Sequence, residues 1–409
     1  MSIWTNRARH LWLSIGIVAG LILALLGGWV FGRSIGVFGV LGDYFIRGLK
    51  MVIVPLIMST MILGIVRLGD IRTVGRTGIK TLLYYTLTTG LAVVVGLVLV
   101  NLIQPGVGAS LEVSEGFQDL PAPAMGLNLL PDNIIESMAN LDILPLIVSS
   151  IILGAVLSTV GERGRPLIDF LDAVEITTIK VVELVILFTP FGVFGLVAGQ
   201  LGDRGLQQFV ETDLFRLKDY AITVLLGLGF HGCLVLPLIL FVLTRRNPAR
   251  YGYNMLPALG TAFSSASSSA TLPVTLDCCE KGNGVSRRSA SFVLPLGATI
   301  NMDGTALYEA VAAMFIAQAY GIEMSFAQQT LIFLTATLAA IGAAGIPQAG
   351  LITMLLVLEA VDLPAEGIGM ILAIDWLLDR FRTTINVWGD AVGAAVIAET
   401  REIKLAEAA

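Results

Sequence analysis

The 409-residue chain is poor in charge: Asp, Glu, Lys and Arg make up 14% against 56% hydrophobic residues, and mean hydropathy is +0.84. That deficit excludes an ordinary soluble globular domain and indicates a polytopic membrane protein. Cysteine is scarce too. Cys233, Cys278 and Cys279 form no CxxC, and adjacent cysteines rarely bridge, which argues against a disulfide framework, a thiol metal site or a redox centre. His231 is the one histidine in an apolar run and reads as a helix-packing residue before a proton relay. The first apolar run follows Arg7 and Arg9 but has no small-residue cleavage site, so it is expected to be retained. The net charge of -6 says little about partners, because it sits in loops and buried positions. No nucleic-acid partner is expected.

Six apolar runs are long enough to cross a hydrocarbon core of about 30 Å. They are Leu11 to Phe31, Tyr44 to Val66, Thr81 to Ile103, Ile143 to Val160, Ile176 to Val197 and Tyr220 to Leu243. Alternate loops are basic, with Arg67, Arg72, Arg76 and Lys80, then Arg163 and Arg165, then Arg245, Arg246 and Arg250. This asymmetry predicts a cytoplasmic N-terminus. The segment carrying Glu112, Glu115, Asp119, Asp132 and Glu136 is then external.

Beyond the sixth run the pattern breaks. From Ala258 to Pro273 a serine cluster separates two apolar pieces, Tyr253 to Ala262 and Thr271 to Cys279, each about half a membrane long. Basic residues flank both ends on the cytoplasmic side. This describes a re-entrant hairpin, whose irregular tip is tolerated at membrane depth only if it is buried in protein or lines a wet cavity. A second interruption, Ala339 to Gly350, splits Thr330 to Val361 and enters from the external face. Its other reading is a kinked helix with a small-residue packing face. Two opposed broken segments point to a transporter site at the bilayer midplane.

Between them, Gly297 to Glu309 contains Asn301-Met302-Asp303-Gly304-Thr305. Asx and glycine residues in succession unwind a helix, because Asx side chains compete for backbone bonds. At membrane depth such a break supplies carbonyls and a carboxylate, the oxygens that hard monovalent cations require. Glu309 lies one turn beyond Thr305, where a buried carboxyl can carry a proton. Tyr85, Thr88 and Thr89 share a face of the third run, although isolated hydroxyls back-bond to their own helix more often than they bind ions.

Near the C-terminus, Asp375, Asp379, Arg382, Thr383, Asn386 and Asp390 fall within an arc of roughly 100° on one helix, with Arg380 on its flank. Five unpaired charges there would cost roughly 12 to 18 kcal/mol. With Asp303 and Glu309 added, five carboxylates face two arginines, and such a region invites cations. Arg382 can clasp a carboxylate in two-point fashion, and Asp379 can hold an ammonium. Together they imply a ligand with an amine and an acidic side chain, taken up with balancing cations.

The serine-rich hairpin ending in TLP, NMDGT, AAGIPQAG and DRFRTTINVWGD resemble, in order, the motifs of the dicarboxylate/amino acid:cation symporter family, the glutamate and aspartate transporters. The resemblance implies an all-α polytopic homotrimer in the cell membrane, each protomer with eight transmembrane helices plus two re-entrant hairpins and both termini cytoplasmic. It implies an elevator division: scaffold at 1–79 and 105–217, transport domain at 80–104 and 218–409. By family pattern Arg382 binds the substrate's side-chain carboxylate and Asp379 its amine. Thr305, Thr383 and Asn386 take its polar atoms, and Ser267, Ser268 and Ile346 to Gly350 close over it. Sodium is assigned to three sets: Gly297, Asn301, Asn386 and Asp390; Thr299, Met302, Ala340, Ile341 and Ala343; and Tyr85, Thr88, Thr89, Asn301 and Asp303. Where archaeal members carry arginine in the first hairpin this chain has Ala266, and the arginine stands instead at Arg380. With Glu309, this is similar to the animal excitatory amino acid transporters and raises proton coupling and potassium counter-transport. The short loops resemble prokaryotic members.

Alternatives in the same fold are sodium-coupled neutral amino acid or C4-dicarboxylate transport. Neutral-substrate relatives lack an arginine at the position of Arg382. An intramembrane aspartyl protease would need facing carboxylates; Asp379 and Asp390 lie about 16 Å apart along one helix, and although Asp303 could face either, the neighbouring arginines would hold both carboxylates ionised. No enzyme activity is expected. A pure channel is the third alternative.

Overall fold

The computed structural model describes residues 3–69, 76–108, 130–210, 214–343, 345 and 348–407. Among them there is no β-strand, only helices and their connections. The expected ligand Ile346, the acidic residues Glu112, Glu115 and Asp119, and Arg72 lie outside the described residues.

The first half comprises α1 (Ile3–Phe31), α2 (Gly39–Met51), α3 (Ile53–Gly69), α4 (Arg76–Ile103), α5 (Ile143–Val160), α6 (Arg165–Leu187) and α7 (Thr189–Arg204). Among the described residues, four helical stretches are long and apolar enough to cross a membrane: Ile15–Val66, Gly78–Ile103, Ile143–Leu187 and Phe215–Thr244. The first, with 52 residues, takes in both α1 and the α2–α3 pair. Read as one apolar run, Ile176 to Val197 predicts a continuous helix, but the chain breaks at Phe188 and restarts with Pro190 in the first turn of α7. Proline lacks an N–H and fits a helix start better than a helix interior. The break turns α7 back onto α1 and α2 along a glycine seam. A Cβ at Gly39 would lie 3.2 Å from Gly199 Cα, and one at Gly42 2.7 Å from Leu196 N. Backbones approach this closely only through small residues, the association mode of helices in lipid.

The second half comprises α8 (Leu214–Phe230), α9 (Leu236–Thr244), α10 (Pro248–Ser265), α11 (Ser268–Asp277), α12 (Arg287–Ile300), α13 (Asp303–Ala319), α14 (Phe326–Gly342), α15 (Ala349–Ala360) and α16 (Ile368–Glu407). A π-helical turn, His231–Val235, joins α8 to α9. Both predicted interruptions are present. Asn247 caps α10 by accepting from the amides of Ala249 and Arg250, with Pro248 at the first helical position. That arm ends at Ala266 in the left-handed region (φ +50°), and Ser267 accepts from Ala270 N to start α11. In the second hairpin, Ser325 and Gln328 form a capping box on α14, and Gln348 (φ +61°) precedes α15. The tips touch, since Ser267 Oγ donates to the Gly345 carbonyl at 2.6 Å and Ser269 N donates to the same oxygen at 3.3 Å.

The NMDGT break is also present: α12 stops at Ile300, Asn301 and Met302 are non-helical, and α13 resumes at Asp303. Residues 303–317 of α13 are buried throughout, which makes this helix the axis of the second half. Its neighbours are α4, α8, α14, α15 and α16. Gly96 on α4 admits the α13 backbone, because a Cβ there would lie 3.0 Å from the Leu307 carbonyl.

Candidate functional site

The site forms where the NMDGT break, α16, α4 and the two hairpin tips converge. Helix α16 presents its arc inward: Asp375, Asp379, Arg382, Thr383, Asn386 and Asp390 are all buried, and Arg382 is fully so. Arg380, on the flank, is half-buried and donates through Nη1 to the carbonyls of Phe263 (3.1 Å) and Ser264 (3.0 Å) at the end of α10. It thereby satisfies carbonyls that the helix end leaves free.

Around Arg382 the geometry is tight. Its Nη2 donates to Asp379 Oδ1 at 2.8 Å and lies 3.0 Å from Asp375 Oδ1, an ion pair without hydrogen-bond alignment. Its Cζ stacks 3.8 Å above the Tyr308 ring. Nε and Nη1 have no hydrogen-bond partner among the described residues. Gly350 is required here, since a Cβ would come within 2.9 Å of Nη1 and 3.3 Å of Thr305 Cγ2. The second oxygen of Asp379 accepts from Gln348 N at 2.9 Å, which ties the second hairpin to α16. Asn386 spans the break, with Oδ1 accepting from Gly304 N at 2.8 Å and Nδ2 donating to Thr305 Oγ1 at 3.1 Å. Ser268 on α11 and Thr383 on α16 are both buried.

A second group of oxygens lies deeper along α16. Asn301 Nδ2 donates to Asp390 Oδ1 at 3.0 Å. Gly297 faces them, and a Cβ there would overlap both Asp390 Oδ1 and the Tyr85 hydroxyl. Across the break, Thr89 Oγ1 donates to Asp303 Oδ1 at 2.7 Å and Thr88 Oγ1 reaches Asn301 Oδ1 at 3.3 Å. Thr88 Oγ1 also lies within back-bonding distance of the Tyr84 and Tyr85 carbonyls, at 3.1 and 3.2 Å. Tyr85 donates to the Val293 carbonyl at 2.8 Å. Thr299 donates to the Leu296 carbonyl at 3.0 Å, while Met302, Ala340 and Ala343 are buried in one core, with Ile341 half-buried at its edge. Carboxylate, amide, hydroxyl and carbonyl oxygens are the donors a hard monovalent cation takes. Glu309 is fully buried on α13, and neither of its oxygens has a partner among the described residues.

Four further residues complete these contacts. His231, fully buried in the π turn, lies with Nε2 3.1 Å from Asp303 Oδ2, although its sequence reading favours plain packing. A lone histidine in an apolar run was the available signal, and π turns are frequent at functional positions. Tyr308, one residue before Glu309, stacks on the arginine; Gln348 contributes a backbone amide; Asp375 joins Arg382.

The sodium:dicarboxylate symporter family model matches residues 11–400. Excitatory amino acid transporter 3 of Mus musculus is 39% identical over 462 aligned residues, covering 96% of this chain and 86% of that protein. Its Homo sapiens counterpart is 38% identical with the same coverage. A putative sodium-dependent excitatory amino acid transporter of Caenorhabditis elegans is 40% identical, covering 89% of this chain and 83% of that protein. With a match this long, carried through both broken segments and the polar helix, the chain belongs to the sodium:dicarboxylate symporter family and is a multi-pass membrane protein.

Proposed function

We propose that this protein is a sodium-coupled symporter of acidic amino acids, L-aspartate or L-glutamate. The observation that carries the reading is Arg382, fully buried, with Nε and Nη1 lacking a hydrogen-bond partner among the described residues and Nη2 on Asp379. A buried guanidinium with spare donors suits a carboxylate, and the neighbouring aspartate suits an ammonium, so the pair fits a zwitterion with an acidic side chain. The names of the relatives agree with this substrate class. Thr305, Thr383 and Asn386 would take the remaining polar atoms, with Ser267, Ser268 and residues 346–350 as covers.

Sodium is the co-transported ion, assigned to the three oxygen sets around Asp390, Met302 and Asp303. Protons would travel on Glu309, and potassium counter-transport would return the protein, with Arg380 part of the coupling apparatus. Uptake of radiolabelled aspartate into proteoliposomes with sodium, proton and potassium gradients imposed one at a time tests this. A sodium gradient is expected to concentrate aspartate, and uptake by Glu309→Gln is expected to lose its dependence on pH. Accumulation indifferent to sodium would end the symport reading, and unaltered pH dependence in the variant would end the role of Glu309.

Transport would proceed as an elevator in a homotrimer at the cell membrane, with 1–79 and 105–217 fixed and 80–104 with 218–409 moving. Lys50 on α2 and Glu359 on α15 form an ion pair that bridges these two parts. Cysteines placed at both positions, in a background lacking Cys233, Cys278 and Cys279, are expected to be joined by a short bifunctional maleimide. Uptake should then stop. Full uptake by the cross-linked protein would show that these parts do not move relative to one another.

A further inference from the structure

We propose that Asp375 is a positioning residue for substrate recognition: it draws the Arg382 guanidinium along α16 and so keeps Asp379 available for the substrate's ammonium. The proposal rests on the reading that Arg382 takes the substrate's side-chain carboxylate.

Asp375 stands seven residues before Arg382, two turns away on one face of α16, while Asp379 stands three before it. Both carboxylates converge on the same atom, Nη2, at 3.0 and 2.8 Å. Asp375 is 1% exposed, and neither of its oxygens makes a hydrogen bond among the described residues. A carboxylate buried without hydrogen bonds is costly, and its counter-charge here is Arg382. Stability alone does not account for a second acid on a nitrogen that Asp379 already engages.

Substrate chemistry does. When an acidic amino acid binds, its carboxylate adds a claim on Arg382 and its ammonium a claim on Asp379. Asp379 already divides its oxygens between Arg382 and Gln348 N, so it must loosen one of them to hold the amine. Asp375 meets no ammonium and remains with the guanidinium throughout. It holds Nη2 while the guanidinium lies over the Tyr308 ring and against Gly350, leaving Nε and Nη1 for the incoming carboxylate. Without its charge, Arg382 closes on Asp379, and each substrate molecule must break that pair before either of its own charged groups is satisfied.

The test measures L-aspartate binding by calorimetry in saturating sodium, together with the thermal midpoint of the substrate-free protein, for Asp375→Asn, Asp375→Glu and Arg382→Cys. Asp375→Asn is expected to raise the dissociation constant at least tenfold while the substrate-free midpoint stays or rises, because a buried charge has been removed. Asp375→Glu should regain part of the lost affinity. An unchanged or lower dissociation constant in Asp375→Asn overturns the proposal. So does weaker binding accompanied by a lower midpoint or failure to fold, the mark of a merely structural role. If Arg382→Cys still binds aspartate as the wild type does, the assignment of Arg382 fails, and that outcome is separate from any result at position 375.

Discussion

Sodium-driven aspartate uptake is expected to disappear in Arg382→Cys, and the variant is expected to admit serine or alanine. The guanidinium is fully buried, stacked on Tyr308 and held by two carboxylates, so its donors are fixed before substrate arrives. An arginine positioned in advance loses little entropy on binding, and each charge-assisted hydrogen bond it makes contributes about 1.5 to 3 kcal/mol. Two such bonds to a substrate carboxylate contribute about 3 to 6 kcal/mol, roughly a hundredfold or more in affinity. Cysteine removes the donors and opens space that a small neutral side chain can fill. In the proposed reading Asp379 would remain to hold the amine, so uptake of neutral amino acids should appear as aspartate uptake vanishes. Competition by serine and alanine against aspartate, in wild type and variant, measures both effects. Unchanged aspartate affinity in Arg382→Cys would refute the acidic-substrate assignment.

How legible the site was depends on how local its signals are. The two hairpins and the NMDGT break announce themselves, because serine, glycine and Asx clusters interrupt apolar stretches where lipid tolerates no irregular backbone. The inward face of α16 follows from 3.6-residue periodicity, and the buried Asp375, Asp379, Arg382, Thr383, Asn386 and Asp390 lie along it. The break at Phe188 was not legible. Apolarity runs unbroken from Ile176 to Val197, and the one mark, Pro190, reads equally well inside a kinked membrane helix. Contacts between distant positions escape periodicity altogether. His231 and Asp303 are 72 residues apart, and the turn that aims the imidazole is set by the packing of α8 and α9 around α16, where Trp388 Nε1 donates to the Gly232 carbonyl. Gln348 contributes through its amide nitrogen, a group every residue but proline possesses. Its left-handed backbone, which aims that nitrogen at Asp379, is set by the fold of the hairpin tip.

Asp303→Asn is expected to abolish sodium-dependent aspartate binding while leaving the fold intact. The carboxylate is fully buried, accepts from Thr89 at 2.7 Å and lies 3.1 Å from His231 Nε2. An asparagine of the same shape keeps an oxygen for Thr89 and a polar atom for the imidazole, so both neighbours stay satisfied and the thermal midpoint should hold. What it cannot keep is the charge. Two opposite unit charges about 4 Å apart attract by roughly 4 kcal/mol at an effective dielectric constant of about 20, close to a thousandfold in affinity. A sodium ion held by Asp303 with Thr89, Thr88 and Asn301 should therefore fail to bind at ordinary concentrations. Gly304, next to Asp303, donates to Asn386, which in turn donates to Thr305, so ion and substrate ligands share one short stretch of backbone. An ion that ordered the break would also place Thr305 and Asn386 for substrate, and this linkage would make aspartate affinity depend on sodium. Calorimetric titration of aspartate across a sodium series measures it. A half-saturating sodium concentration in Asp303→Asn within threefold of wild type would show that the carboxylate serves His231 and Thr89 alone, and the ion would then have to be sought around Asp390 or Met302.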